Sequence, residues 1–253
     1  MSRVTASRLA LLQACQYWAR PDAVWNEAPP GRAAQFGTDL HALSDVYVRG
    51  EPGSASWVAD GPLLDAWRHM RAWLDATMAT VALSSEWPFA WDPETDRAFD
   101  LRAALIKLGV SAARPYADPA TWALLRAELG FGPSTIAGTA DLIAAEGARL
   151  VVYDICTGRT DKIAQLRGLA MMLAKLTGCD EVRIATLRVS PSGLAEEDHG
   201  VLDCFTIEAI AEDLRALIAR VPRSEPRTGE HCTRRYCPAQ RDCPGFGDLT
   251  APG

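Results

Sequence analysis

Two aspartates, Asp141 and Asp154, flank a tight turn near Gly147 in the stretch IAGTADLIAAEGARLVVYDI, residues 136–155. Read as strand, turn and strand, this is a hairpin, and residues at matched heights on paired strands face each other. Two ionised carboxylates brought together repel. A divalent cation that takes several oxygen ligands removes the conflict. Taken alone, each aspartate could equally cap a strand or a turn. A second group of reactive side chains lies in GEHCTRRYCPAQRDCPGFG, which places Cys232, Cys237 and Cys243 in one short segment. Three thiolates need a fourth ligand to close a tetrahedral or cubane site, and His231 adjoins Cys232 in an awkward geometry for ligation. From these residues alone, zinc, an iron–sulfur cluster and free thiols all stay open.

The elements that must position these groups follow from periodicity and punctuation. Residues 5–20 read as a helix with Thr5 or Ser7 as its cap and Pro21 as its end. Residues 36–48 form a second helix carrying His41, and residues 60–80 a third whose apolar side chains recur at helical spacing for a core. Residues 81–102 suggest two strands around a DPET turn, and PATWALLRAEL a short helix within 103–134. After the hairpin come a helix over 162–177, a strand over 181–189, an acidic loop containing His199 and an amphipathic helix over 206–220. The order predicts one α/β domain spanning 1–253, with a mixed central sheet flanked by helices. Its parts are an N-terminal helical section (1–80), a core (81–190) and a C-terminal helix with the cysteine tail (200–245).

Composition narrows the function. The chain has 253 residues, 48% of them hydrophobic, and a net charge of −6. Binding of nucleic acid through bulk positive charge is excluded. Contact with DNA has to use metal ions or a local basic patch, and Arg223, Arg227, Arg234, Arg235 and Arg241 make one around the tail cysteines. Lysines are scarce: Lys107, Lys162 and Lys175. No apolar run is long enough for a membrane span, and the first residues lack the pattern of a secretion signal. A reducing, cytoplasmic setting is therefore expected, in which the seven cysteines form no disulfide framework and the crowded ones serve as ligands. Cys179 and Cys204 read as ordinary semi-buried residues. Trp18, Trp87 and Trp91 could stack bases, although core packing is their commoner use.

The order of these features resembles the PD-(D/E)XK nuclease superfamily, and within it the RecB-like and CRISPR-associated iron–sulfur exonuclease branch. His41 in FGTDLHAL looks like the branch's histidine motif, and Glu86 in SSEWPFAWDPET stands at its acidic strand. GTAD (138–141) matches G-x-x-D, DICTG (154–158) matches D-x-K-T-G at all but one position, and QLRGL (165–169) matches Q-x-x-x-Y except at Leu169. The resemblance implies a restriction-endonuclease-like core and Mg²⁺- or Mn²⁺-dependent hydrolysis of DNA, on single strands or duplex ends. It places the ion on Asp141 and Asp154, helped by His41 and Glu86, with Gln165 positioning DNA or water. It further implies a 4Fe–4S cluster held by Cys15 and the three tail cysteines, tying the two ends of the domain together, and a helicase or recombination partner.

One departure bears on the chemistry. Cys156 occupies the position of the motif lysine, and a thiol cannot give positive charge to the transition state. Three outcomes follow. The site is degenerate and only binds DNA or a partner; or Lys162 or Arg159 reaches in from the next turn; or the cysteine is tolerated with weak activity.

Overall fold

The computed structural model describes residues 4–25, 31–51, 61–110, 114–158, 161–234 and 237–247. The hairpin forms as β3 (Ile136–Glu146) and β4 (Arg149–Cys156), antiparallel and joined at Gly147, whose φ of 63° suits a residue without Cβ. It sits at the centre of a six-stranded sheet ordered β2-β1-β3-β4-β5-β6. The other strands are β1 (Ala82–Asp92), β2 (Arg97–Asp100), β5 (Glu181–Ser190) and β6 (Gly193–Asp203). Of these six strands, β4 and β5 alone run parallel. Parallel neighbours need a long crossover, and helix α6 (Ile163–Thr177) supplies it.

Further helices are α1 (Leu9–Ala14), α2 (Arg32–Val48), α3 (Pro62–Met78), α4 (Leu101–Leu108), α5 (Pro119–Leu129) and α7 (Cys204–Arg220), with short turns α8 (Glu230–Arg234) and α9 (Pro244–Gly247) in the tail. Both faces of the sheet are covered. Phe89, Trp91, Val152 and Ile184 pack with Leu169 and Met172 of α6 and Ile207 and Leu214 of α7. On the other face Leu142, Tyr153, Ala185 and Leu187 pack with Leu40 of α2 and Trp67, Met70 and Leu74 of α3. A smaller cluster around Trp122, Leu125 and Phe131 joins α4 and α5 to β1. This is the mixed α/β sheet expected of a restriction-endonuclease-like core. Among the described residues no helix is long and apolar enough to cross a membrane.

The structure alters several expected elements. The first helix is interrupted: α1 ends where Cys15 turns extended (φ −156°, ψ 128°), and the Gln16 amide donates back to the Leu12 carbonyl at 2.6 Å, replacing the next helical N–H. Helix α4 lies in a stretch without a clear sequence reading, yet its signals are present. Asp100 caps it by accepting from the N–H groups of Arg102 and Ala103, and Gly109 closes it at φ 66°. The acidic loop is instead the edge strand β6, whose Glu196, Glu197 and Asp198 pair with Arg183 and Arg188 of β5. Charges on an edge strand protect it from pairing with other chains, and that charge made it look like a loop. Trp18 and Trp91 are fully buried, so neither presents an open ring for a base, and Trp87 is partly buried against the same core. Cys204 is exposed rather than semi-buried.

Close packing next to the hairpin explains Gly138. A Cβ there would lie 2.6 Å from Leu169 Cδ2 and 2.8 Å from Ala6 Cβ. Both neighbours are buried, with no room to yield. Gly138→Ala is expected to destabilise the fold by about 1–3 kcal/mol, read as a lower midpoint in urea unfolding. An unchanged midpoint would show that α6 shifts freely over β3.

Candidate functional site

Glu86 and Asp141 lie opposite each other where β1 and β3 change sides. The register runs Ser85–Leu142 and Trp87–Ala140 around them. Before this point, Ile136 and Ala140 belong to the core beneath α6; after it, Leu142 and Ala144 belong to the core beneath α2 and α3. Glu86 takes φ 43°, a left-handed conformation that costs a side-chain-bearing residue about 1–3 kcal/mol. The twist turns both carboxylates towards α2.

Helix α2 brings His41 to meet them. Its Nε2 lies 3.0 Å from the Ile155 carbonyl, a bond that makes Nε2 the protonated nitrogen and leaves Nδ1 for the carboxylates. Nδ1 lies 3.3 Å from Asp141 Oδ1 and 3.4 Å from Glu86 Oε1. Among the described residues, His41, Glu86 and Asp141 form the one group of three potential ligands whose donor atoms all lie within 4.8 Å of one another. Burial opposes a charge on His41. Asp141 and Glu86 outweigh it and hold the imidazole up at about 11. Without a cation, the imidazolium is thus the counter-ion of the acids. Asp141 also accepts from the Ile155 N–H at 2.7 Å. Burial pushes its carboxyl upward, but His41 foremost and this N–H bring it below the ordinary range.

Asp154 stands beside this trio, one step beyond the last rung of the hairpin, Leu142–Tyr153. Its Oδ1 accepts from Gln165 Nε2 at 2.7 Å. Its Oδ2 is buried without a hydrogen-bond partner, with Lys162 Nζ at ion-pair distance, 3.5 Å. Burial and the nearby Asp141 raise this carboxyl to about 7, against the pull of Lys162. Lys162 precedes α6 and also reaches Gln165 Oε1 at 3.3 Å. Asp141, Asp154, His41, Lys162 and Gln165 line one cleft of about 650 Å³. A hollow of about 420 Å³ beside Trp122 and Phe131 offers Arg126 as its one ionisable side chain.

Cys156 does not line the cleft. Its thiol donates to the Gly158 carbonyl at 3.2 Å, and Arg188 Nη1 approaches the sulfur at 3.8 Å and the same carbonyl at 2.7 Å. Arg159, the other candidate for a migrated cation, lies outside the described residues. So do Arg235 and the side chains of Arg234 and Arg241 from the tail's basic patch. The profile of the PD-(D/E)XK nuclease superfamily matches residues 3–244. The chain belongs to the PD-(D/E)XK nuclease superfamily. No curated protein matches the sequence. It is similar to the solved structure named "Crystal structure of SSO0001" at 17% identity, over 83% of this chain and 85% of that one, with a TM-score of 0.35.

PD-(D/E)XK nucleases usually work with a divalent metal, and the residues present fit one. His41, Glu86 and Asp141 offer a compact set of an imidazole and two carboxylates, and beside them the buried Asp154 Oδ2 has no hydrogen bond and the Lys162 ammonium at 3.5 Å as its counter-charge. The four cysteines at the two chain ends also come together. Burial raises the Cys237 thiol to about 11, and Cys15, Cys232 and Cys243 lie near enough to add to the rise. Sequence reasoning overlooked Arg8, Trp25, Arg114 and Tyr116 on the cleft wall, and Arg188 beside Cys156. No motif marks them, because they come from separate segments that meet only in the folded chain.

Proposed function

We propose that this chain is a single-domain, metal-dependent DNA nuclease of the RecB-like type, hydrolysing phosphodiester bonds in single strands or at duplex ends, and that it carries a 4Fe–4S cluster. The observation that carries this reading is the meeting of His41, Glu86 and Asp141 beside the unpartnered oxygen of Asp154, with Lys162 at 3.5 Å from that oxygen. Mg²⁺ or Mn²⁺ held by these four ligands would polarise the scissile phosphate and activate water at neutral pH. The protein's own part is positional and electrostatic. The Ile155 carbonyl orients His41, Gln165 orients Asp154, and the strand twist at Glu86 aims its carboxylate.

Lys162 takes the role of the missing motif lysine in this reading. It comes from the residue preceding α6 instead of from β4, and its ammonium, 3.5 Å from Asp154 Oδ2, would offset negative charge growing on a phosphate bound there. Lys162→Ala is expected to lower kcat by about 10²–10³-fold, the usual cost of removing one preorganised charge or donor. The test is Mn²⁺-dependent cleavage of end-labelled single- and double-stranded DNA by the wild-type chain, Lys162→Ala and Cys156→Lys. Equal rates for wild type and Lys162→Ala would remove Lys162 from the mechanism. A specific observation favours a second reading, a degenerate site that binds DNA or a partner such as a helicase or recombination protein. That observation is Cys156, held by Gly158 and Arg188 away from the cleft. Cleavage by Cys156→Lys alone would establish this second reading.

For the cluster, the support is the convergence of four thiols from both chain ends. Zinc with Zn–S bonds of about 2.3 Å would draw its sulfurs to within about 4 Å of one another. Among the described residues no three cysteine sulfurs lie within 4.8 Å of one another. In a cubane each thiolate would bind a different iron. Its role would be structural.

A further inference from the structure

The cleft above the carboxylates has a second half that the metal ligands do not use. Its walls include Arg8, Trp25, Arg114 and Tyr116. The Arg8 guanidinium lies 4.4 Å from the centre of the Trp25 ring, and the Trp25 indole N–H donates to the Trp18 carbonyl at 2.7 Å. A planar cation is thereby held against a fixed ring, with little freedom left to lose on binding. The short turn Pro115–Ala117 brings Tyr116 to the cleft, its hydroxyl donating to Thr139 Oγ1 at 3.2 Å, and places the exposed Arg114 just before it.

The charge layout is informative. Asp141 and Asp154 line the cleft together with Arg8, Arg114 and Lys162. The chain's net charge is −6, so composition does not account for these cations in one cleft. A single small anion would need one of them. A chain of phosphates needs several, because when one phosphate approaches the carboxylate site its neighbours must be neutralised along the walls. At about 650 Å³ the cleft has the size of a small-molecule pocket.

The geometry points to Arg8 and Arg114 as the residues that hold the phosphates next to the scissile one in a single nucleic-acid strand, with Trp25 as a positioning residue that fixes Arg8. The inference rests on the nuclease reading for which phosphate is cleaved, but not for the binding itself.

The test uses the full chain carrying Asp154→Asn, so that binding is read without cleavage. Anisotropy of a labelled single-stranded oligodeoxynucleotide is followed across a salt series, with an oligoribonucleotide of the same sequence in parallel. Arg8→Ala and Arg114→Ala should each weaken binding whatever the base sequence, and each should lower the slope of log K against log salt by about 0.7. Arg8→Lys should keep the slope, which separates lost charge from a loosened fold. Trp25→Ala should weaken binding, and should add nothing further in an Arg8→Ala background. Arg126→Ala, at the other hollow, should change nothing. Unchanged slopes in both arginine variants overturn the inference even if the wild-type chain cleaves DNA. Failure of both oligonucleotides to bind overturns it as well. Reduced slopes sustain it even if the wild type cleaves nothing, in which case the nuclease reading fails by itself. RNA bound as tightly as DNA would agree with recognition through phosphates alone.

Discussion

Asp154→Asn is expected to abolish Mn²⁺-dependent DNA cleavage, with a loss of about a thousandfold or more. The substitution keeps shape and the acceptor that Gln165 Nε2 meets at 2.7 Å, and removes the charge of the buried oxygen that lacks a hydrogen bond. A cation at this site contributes several kcal/mol of transition-state stabilisation, and each 1.36 kcal/mol is about tenfold in rate. The same residues give the metal affinity a pH dependence of defined sign. Burial and Asp141 raise Asp154 to about 7, and Asp141 and Glu86, acting against burial, hold His41 up at about 11. Both must lose a proton before they can bind a cation. Affinity for Mn²⁺ therefore falls as pH falls, by about tenfold per unit for each proton displaced. It falls more steeply below about 7, where Asp154 adds a second proton. Calorimetric titration at several pH values, in buffers of different ionisation enthalpy, measures the protons released. Affinity independent of pH would mean that the ion binds elsewhere, and full activity in Asp154→Asn would remove the site from the mechanism.

Cys15→Ser is expected to have the second large effect. Cys15 ends α1, whereas its proposed partners Cys232, Cys237 and Cys243 lie in the tail, so a cluster joins segments that are otherwise distant in the chain. Metal ligation of this kind contributes directly to folding free energy. Loss of one ligand should remove iron and acid-labile sulfide from anaerobically purified protein and cost about 3 kcal/mol or more. For a chain of this length that is a melting temperature lower by roughly 10 °C. Cys204→Ser is the matched control, since Cys204 is exposed. Zinc in place of iron in the wild-type protein, or identical melting of the two variants, would exclude the cluster.

The hairpin was legible because two apolar strand patterns flank a Glu-Gly turn, and a turn of that kind leaves few alternatives. Helix α3 was legible because an amphipathic stripe needs no partner to be recognised. β6 was not, because an edge strand satisfies its backbone on one side only and carries charge where a central strand carries apolar side chains. The break in α1 was not, because Leu9, Leu12 and Cys15 keep helical spacing while the side chain of Gln16 ends the helix. Gly138 stood out as part of G-x-x-D, but its reason, the contacts with Ala6 and Leu169, belongs to packing.

The same division runs through the site. Residue types, their order and the strand pattern are properties of the sequence, and they determined the superfamily, the sheet, and the candidates Asp141, Asp154, His41, Glu86 and Gln165. The sequence also placed Cys156 two residues after Asp154. It could not show where Lys162 points, because that depends on how the turn after β4 enters α6. Nor could it show that Glu86 adopts a left-handed backbone opposite Asp141, or that Arg8, Trp25, Arg114 and Tyr116 share a cleft with the carboxylates. Periodicity reports which face of an element is buried, and motifs report which groups lie close along the chain. Distances between groups far apart in sequence are fixed only when the helices dock on the twisted sheet, and there the tertiary structure alone decided which charges meet.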